Sequence, residues 1–162
     1  MRSVTNNSCA ISRLVRPLAA SSATRRSLGR SLVVAVSQSD VVTSTLFRLG
    51  LGAAPKLVEL AVLEGASVDG LAFGRSGRIY AALPERSAVG VLSASGALER
   101  TIAVPGADEL AGLSFLDEDL LVANHAFGNL EMAPRVVSRI GAGEPGARRF
   151  RPAIPERAKR AT

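Results

Sequence analysis

The chain has one cysteine, Cys9, one histidine, His125, and no tryptophan. A single thiol excludes an internal disulfide framework and a four-cysteine zinc site. Aromatic residues make up 4% of the 162 residues, so a core has to be built from Val, Leu, Ile and Ala. No run of about 18 apolar residues occurs, which leaves no candidate for a membrane-spanning helix. No Asn-Gly pair is present. P-loop, Gly-x-Ser-x-Gly and His-Glu-x-x-His signatures are also missing, so the corresponding nucleotide, serine-hydrolase and zinc-protease chemistries lack their motifs. The first thirty residues contain no acid, although they carry Arg2, Arg13, Arg16, Arg25, Arg26 and Arg30.

What is present describes a folded chain. Hydrophobic residues at 47% with 21% charged residues argue against disorder, and the length suits one domain. The net charge of +6 is unevenly spread. From Arg148 onward six basic residues stand against Glu156 alone, whereas the body from Ser31 to Ala147 holds 8 basic and 13 acidic residues. Nucleic-acid-binding domains place positive charge on the folded face, so two basic tails around an acidic body give no specific nucleic-acid site. The leader, residues 1–30, is Ser-, Ala- and Arg-rich. Its composition resembles a transit peptide, and equally a plain disordered extension; the latter is expected, outside the fold. Arg16 and Pro17 interrupt its one apolar stretch, so no secretory signal is read and a cytoplasmic location is the default.

From Ser31 short apolar runs recur at spacings near ten residues, each closed by a turn cluster such as Gly74-Arg75-Ser76-Gly77 or Ser93-Ala94-Ser95-Gly96. That pattern predicts an all-β fold. Two stretches repeat each other without a gap. Val68-Asp69-Gly70-Leu71-Ala72-Phe73 with Arg78-Ile79-Tyr80-Ala81-Ala82 maps onto Leu110-Ala111-Gly112-Leu113-Ser114-Phe115 with Leu120-Leu121-Val122-Ala123-Asn124. The common offset pairs Gly70 with Gly112, Ile79 with Leu121 and Ala81 with Ala123. Units of about 40–45 residues with four strands each are blades of a β-propeller. The predicted organisation is a basic leader over 1–30, a partial propeller of about three blades over 31–154, and a basic tail over 155–162.

The segment from about Val33 to Pro155 resembles the C-terminal half of the senescence-marker-protein / gluconolactonase / luciferin-regenerating-enzyme-like family of six-bladed propellers. The residues that carry the resemblance are Asp69-Gly70-Leu71-Ala72-Phe73, Ser76 to Leu83, Val89 to Gly96, and Leu113-Ser114-Phe115 leading to Leu120 to Ala126. Gly143-Glu144-Pro145-Gly146 through Phe150-Arg151-Pro152 resembles the end of some bacterial members. The resemblance implies hydrolysis of a lactone or ester by one divalent cation (Ca, Zn, Mg or Mn class) in the central channel. It also implies that Asp69 of the Asp-Gly-Leu motif is a metal ligand and the one catalytic candidate. The family's Asn-Gly ligand and early Glu have no counterpart here, and one carboxylate cannot hold a cation that wants several oxygens. The expectation is therefore a fragment of such a propeller, inactive as this chain. The alternative is a non-catalytic, NHL-like module that binds a ligand or a protein.

Asn124 and His125 follow an inner strand, matching Ala82 and Leu83 of the preceding unit, and are candidates to line a channel. Tyr80, the single tyrosine, reads as a residue packed between blades. Gly141-Ala142-Gly143-Glu144-Pro145-Gly146 spells G-x-G-x-x-G, but Pro145 and Gly146 oppose the helix that a dinucleotide fingerprint must open, so no nucleotide site is expected. Three blades cannot close a ring, since closed propellers use about 4–8. Either two copies complete one ring, or the chain is a truncated copy of a longer protein; truncation is the favoured expectation.

Overall fold

The structure is a computed structural model that describes residues 11–16 (backbone only), 31–38, 42–51, 54–125 and 136–147. Most of the leader, the Phe150-Arg151-Pro152 motif and the tail over 155–162 lie outside the described residues. Among the described residues eleven strands form three antiparallel sheets, each a meander in which consecutive strands pair. Sheet one comprises β1 (Ile11–Arg16), β2 (Ser31–Gln38), β3 (Thr43–Gly50) and β4 (Lys56–Glu64). Sheet two comprises β5 (Leu71–Phe73), β6 (Ile79–Leu83), β7 (Ala88–Leu92) and β8 (Leu98–Ala103). Sheet three comprises β9 (Leu110–Leu116), β10 (Asp119–Asn124) and β11 (Val137–Gly141). Among the described residues the only helical piece is the 3-10 turn Pro84–Arg86.

The expectation of a leader wholly outside the fold needs correction at six residues. Ile11–Arg16 pair along β2, from Ile11 opposite Val36 to Arg16 opposite Ser31. An edge strand is held by backbone hydrogen bonds that make no demand on side-chain alternation, so a sequence without apolar periodicity can still supply one.

Sheet two lies between the other two. Leu71, Phe73, Ile79, Ala81, Leu83 and Leu92 face sheet one, where they meet Val33, Ala35, Leu46 and Leu63. The intervening Ala72, Tyr80, Ala82, Val89 and Val91 face sheet three and meet Leu110, Leu120 and Val122. Two-sided burial explains why β6 and β7 read as unbroken apolar runs: every residue of both strands is buried. Each fully buried Val, Leu or Ile contributes about 1.5–3 kcal/mol. The sheets meet along their first strands, β1 beside β5 and β9 beside β5 and β6.

The close approach of β5 and β9 requires Gly70. A β-carbon there would stand 2.3 Å from the Ala111 carbonyl oxygen and 3.1 Å from Gly112 Cα. Gly96, at φ 100° in the β7–β8 turn, packs in the same way against the Leu60 carbonyl of β4.

The repeat holds, but it is not free of gaps. In the β5–β6 hairpin Phe73 pairs with Ile79 and Leu71 with Ala81. In the β9–β10 hairpin Phe115 pairs with Leu120 and Leu113 with Val122. The second hairpin is one residue shorter, closing through Asp117 at φ 53°. Ile79 therefore corresponds to Leu120, and Ala81 to Val122. A one-residue slip moves a whole strand to the other face. Burial agrees, because Leu120 and Val122 are fully buried while Leu121 and Ala123 are half-exposed. By the same slip Asn124 takes the place of Leu83, and His125 that of Pro84.

The Gly141 to Gly146 segment opens no helix. After β11 the chain doubles back as a strap onto the β5–β6 turn: Arg75 N–H donates to the Pro145 carbonyl at 2.8 Å, and Ala147 N–H to the Phe73 carbonyl at 2.9 Å. Glu144 is its anchor. The carboxylate accepts from Ser76 N–H and Ser76 Oγ, each at 2.8 Å, and from the Tyr80 hydroxyl at 3.0 Å. Arg78 stands 3.6 Å away. Burial by itself disfavours the charged carboxylate, but the hydrogen bonds from Ser76 and Tyr80 and the charge of Arg78 outweigh it and hold Glu144 below the ordinary 4.5. Burial, and then Glu144, push the Tyr80 hydroxyl up to about 12.

A carboxyl depressed by folding adds stability above its unfolded pKa, and that stability is lost as pH falls through the folded one. Glu144→Gln is accordingly expected to cost about 1 kcal/mol at neutral pH, a value discounted for partial exposure. The difference from the parent shrinks below the unfolded value of 4.5. Urea denaturation of both proteins followed by circular dichroism across pH checks it; a difference that stays constant into acid would refute the strap's ionic character.

Candidate functional site

One end of the three sheets carries a cleft of about 320 Å³. Its walls come from two kinds of segment. The connectors that enter first strands supply Ser67, Asp69 and Glu109, and the segments that leave second strands supply Glu85 and His125. Val68, Pro84 and Leu110 are its apolar lining, and Ser37 closes it at the end of β2.

The connector from β4 to β5 is pinned by its backbone. Val68 N–H donates to Ser44 Oγ at 2.8 Å and to Ser37 Oγ at 3.3 Å, and the two hydroxyls lie 2.6 Å apart. Beyond Val68, Asp69 N–H donates to the Ala82 carbonyl at 3.3 Å, and Ala82 N–H to the Gly70 carbonyl at 2.9 Å. The β5–β6 ladder thus runs on past Leu71 and sets Asp69 at the mouth of the cleft. Asp69 remains solvent-accessible, yet the cleft walls desolvate its carboxyl enough to raise it above the ordinary 3.8, and the nearby His125 opposes that shift.

Glu85 is presented by the 3-10 turn after β6. Pro84 fixes its start, and Ser87, at φ 44°, closes it by donating N–H to the Pro84 carbonyl at 3.0 Å. Its carboxylate is oriented by Ser67, which donates N–H at 2.9 Å and also its hydroxyl. Burial works against the charge of Glu85, but the two bonds from Ser67, joined by Arg86, prevail and hold the carboxyl below the usual range. Glu109 adopts φ 56°, a conformation that L residues seldom take, and its carbonyl accepts His125 N–H at 3.0 Å. That bond holds the start of β9 and the end of β10 side by side at the cleft.

The structure thus brings Asp69 and His125 together from neighbouring sheets. It does not bring Asn124 with them. Asn124 is 6% exposed, and its Oδ1 accepts Asp108 N–H at 2.9 Å. Turned away from the cleft, Asn124 fixes the loop that carries Glu109. Glu85 and Glu109 join the site without having been singled out in the sequence. A signal was available: Glu109 lies one repeat after Ser67 and His125 one shortened repeat after Pro84, so the repeat maps cleft positions onto cleft positions.

Among the described residues the arrangement is rich in hydrogen-bond acceptors and contains no Lys or Arg. Among the described residues no three His, Cys, Asp or Glu side chains stand close enough to share a metal ion. The described residues thus offer Asp69 no ready set of partners for the divalent cation that its motif implied. Of the two serines described in the cleft, Ser67 donates to Glu85 and Ser37 is bonded to Ser44. No protein-family model and no curated protein matches this chain.

Proposed function

We propose that the three sheets are blades of a β-propeller resembling the gluconolactonase-like family, about half of a six-bladed ring, and that the chain works as a small-ligand binding module rather than as a metal-dependent lactonase. The observation that carries this reading is the convergence of the same ends of successive sheets, at their first strands, on one cleft. A propeller gathers its ligand contacts in that way, because its first strands surround the axis and the loops entering them share one face. The cleft's volume of about 320 Å³ sits at the small end of ligand pockets. Three carboxylic side chains and two serine hydroxyls favour a ligand with several O–H or N–H donors, a small polyol or hydroxy-lactone, bound without turnover.

The test has two arms. Hydrolysis of glucono-δ-lactone in a pH-stat, with and without Ca²⁺, Mn²⁺ or Zn²⁺, is expected to run at the uncatalysed rate for both the parent protein and Asp69→Ala. Titration of the labelled protein with the same lactone and with gluconate, followed by NMR, is expected to shift amides around Asp69, Glu85 and His125. Asp69→Ala and Glu85→Ala should each weaken that binding about tenfold. Metal-dependent turnover that Asp69→Ala abolishes would establish a hydrolase instead, and shifts remote from the cleft would remove it as the binding site.

A further inference from the structure

We propose that the cleft recognises a small organic ammonium compound, an amine carried on a hydroxylated chain, ahead of neutral or acidic ligands of the same size. The inference rests on the binding reading above and assigns the charge of the ligand.

The sheets carry their acids in two different settings. At the end that holds the β5–β6 and β9–β10 turns, carboxylates are met by arginines. Arg78 Nε donates to Glu99 at 2.6 Å and the same side chain stands 3.6 Å from Glu144, while Arg139 Nε donates to Asp119 at 2.6 Å. At the cleft end Asp69, Glu85 and Glu109 line one cavity from three separate segments, and among the described residues no Lys or Arg lines it with them. Arg86 follows Glu85, but its guanidinium is turned onto the Glu64 carbonyl at 2.7 Å. His125 is the one basic residue of the lining, and it stands near Asp69.

The cleft therefore concentrates negative charge beside the apolar walls of Val68, Pro84 and Leu110. Burial raises the Asp69 carboxyl above the ordinary 3.8, so its charge is held at a cost that an arriving cation relieves. Glu85 takes two bonds from the N–H and hydroxyl of Ser67, donors without charge. One residue before Glu109, Asp108 keeps its Oδ2 buried with no hydrogen-bond partner among the described residues. Behind the cleft wall this is a further acceptor that no donor answers.

An ammonium group suits such a wall better than a hydroxyl does. Its charge-assisted hydrogen bonds are about twice as strong as neutral ones, and the attraction grows where low-dielectric walls exclude water. A bare divalent ion needs its oxygens gathered at one point, whereas among the described residues no three His, Cys, Asp or Glu side chains stand so close. Acids spread around a cavity of about 320 Å³ fit a cation on an extended body, whose hydroxyls reach the remaining acceptors.

Three hexitol derivatives isolate the charge, because they share one hydroxylated chain. Glucamine ends in an ammonium, glucitol in a hydroxyl and gluconate in a carboxylate. Titration of the labelled full chain with each, followed by NMR at neutral pH and low salt, is expected to shift the amides of Asp69, Glu85 and His125. Glucamine should bind about tenfold more tightly than glucitol, and gluconate more weakly than both. High salt should close most of the gap between glucamine and glucitol while leaving glucitol unchanged. Glu109→Gln and Asp69→Asn keep an acceptor of the same shape, so each should weaken glucamine about threefold and spare glucitol. Circular dichroism identifies a variant that fails to fold, and the salt series then decides alone. Glucamine no tighter than glucitol, or a preference that salt or either folded variant leaves intact, overturns the ammonium inference while glucitol's shifts keep the binding site standing. Silence at the cleft from all three compounds overturns the site itself, and this inference with it.

Discussion

Gly70→Ala is expected to cost about 3 kcal/mol or more, whereas Gly112→Ala, the same change one repeat later, is expected to be neutral or stabilising by about 0.5 kcal/mol. The two glycines hold corresponding places, yet their surroundings are unlike. At Gly70 the added methyl meets backbone on three sides: the Ala111 carbonyl oxygen at 2.3 Å, Gly112 Cα at 3.1 Å and Leu113 N at 3.1 Å. Backbone in a paired strand cannot rotate away as a side chain does, so β5 and β9 have to separate, and Asp69 moves with them. At Gly112 the nearest atom is Ala123 Cβ at 3.8 Å, an ordinary contact. An alanine there also removes conformational freedom from the unfolded chain. Urea unfolding of the two variants beside the parent measures both values. Equal losses at the two positions would mean that glycine is needed for strand geometry and not for the approach of the sheets.

Tyr80→Ala is the other large effect, expected at about 3–5 kcal/mol. Tyr80 is fully buried between sheets two and three, and its ring meets Phe115 edge-on, with centroids 5.1 Å apart and planes at 89°. Such an aromatic pair adds about 0.5–1.5 kcal/mol beyond the area it buries. The hydroxyl also holds Glu144, so truncation removes packing and one of the bonds that anchor the strap. Tyr80→Phe separates the two contributions, keeping the ring contact and losing the hydroxyl's bond to Glu144 and its longer one to the Ala142 carbonyl, for about 1 kcal/mol. Guanidinium unfolding read by far-ultraviolet circular dichroism suits both variants. A loss under 1 kcal/mol for Tyr80→Ala would show that sheet three does not depend on this contact.

The strands were legible because their ends are marked. Gly74 to Gly77, Pro84 to Ser87, Ser93 to Gly96 and Pro105-Gly106 cut the chain where the structure turns. Tyr80 was legible too, as an aromatic inside an apolar run with nowhere to go but between sheets. The register of β10 was not. Leu120-Leu121-Val122-Ala123 is apolar at every position, so alternation cannot say which residues face inward, and the shorter turn at Asp117-Glu118 decides it. β1 escaped notice because Ser12, Arg13 and Arg16 break any apolar rhythm, and β2 supplies its hydrogen bonds. At the site, Asp69 and His125 stood out by residue type. Glu85 and Glu109 look like ordinary turn acids, and only the folding of a 3-10 turn and of one left-handed residue brings them to the cleft. The Gly141 to Gly146 motif opens no helix, and nothing in it announces a strap, since its partners Ser76 and Tyr80 are more than sixty residues away in sequence.

The burial of sheet two on both faces has a consequence for how the molecule comes apart. A strand such as β6, with no side chain that water can accept, has no half-folded condition in which one neighbour has left and the other remains. Losing either flank exposes a whole apolar face, so stability resides in the contacts between sheets and cannot be apportioned to single sheets. Cut between β8 and β9, the chain would yield two insoluble pieces where a string of independent modules would yield two domains.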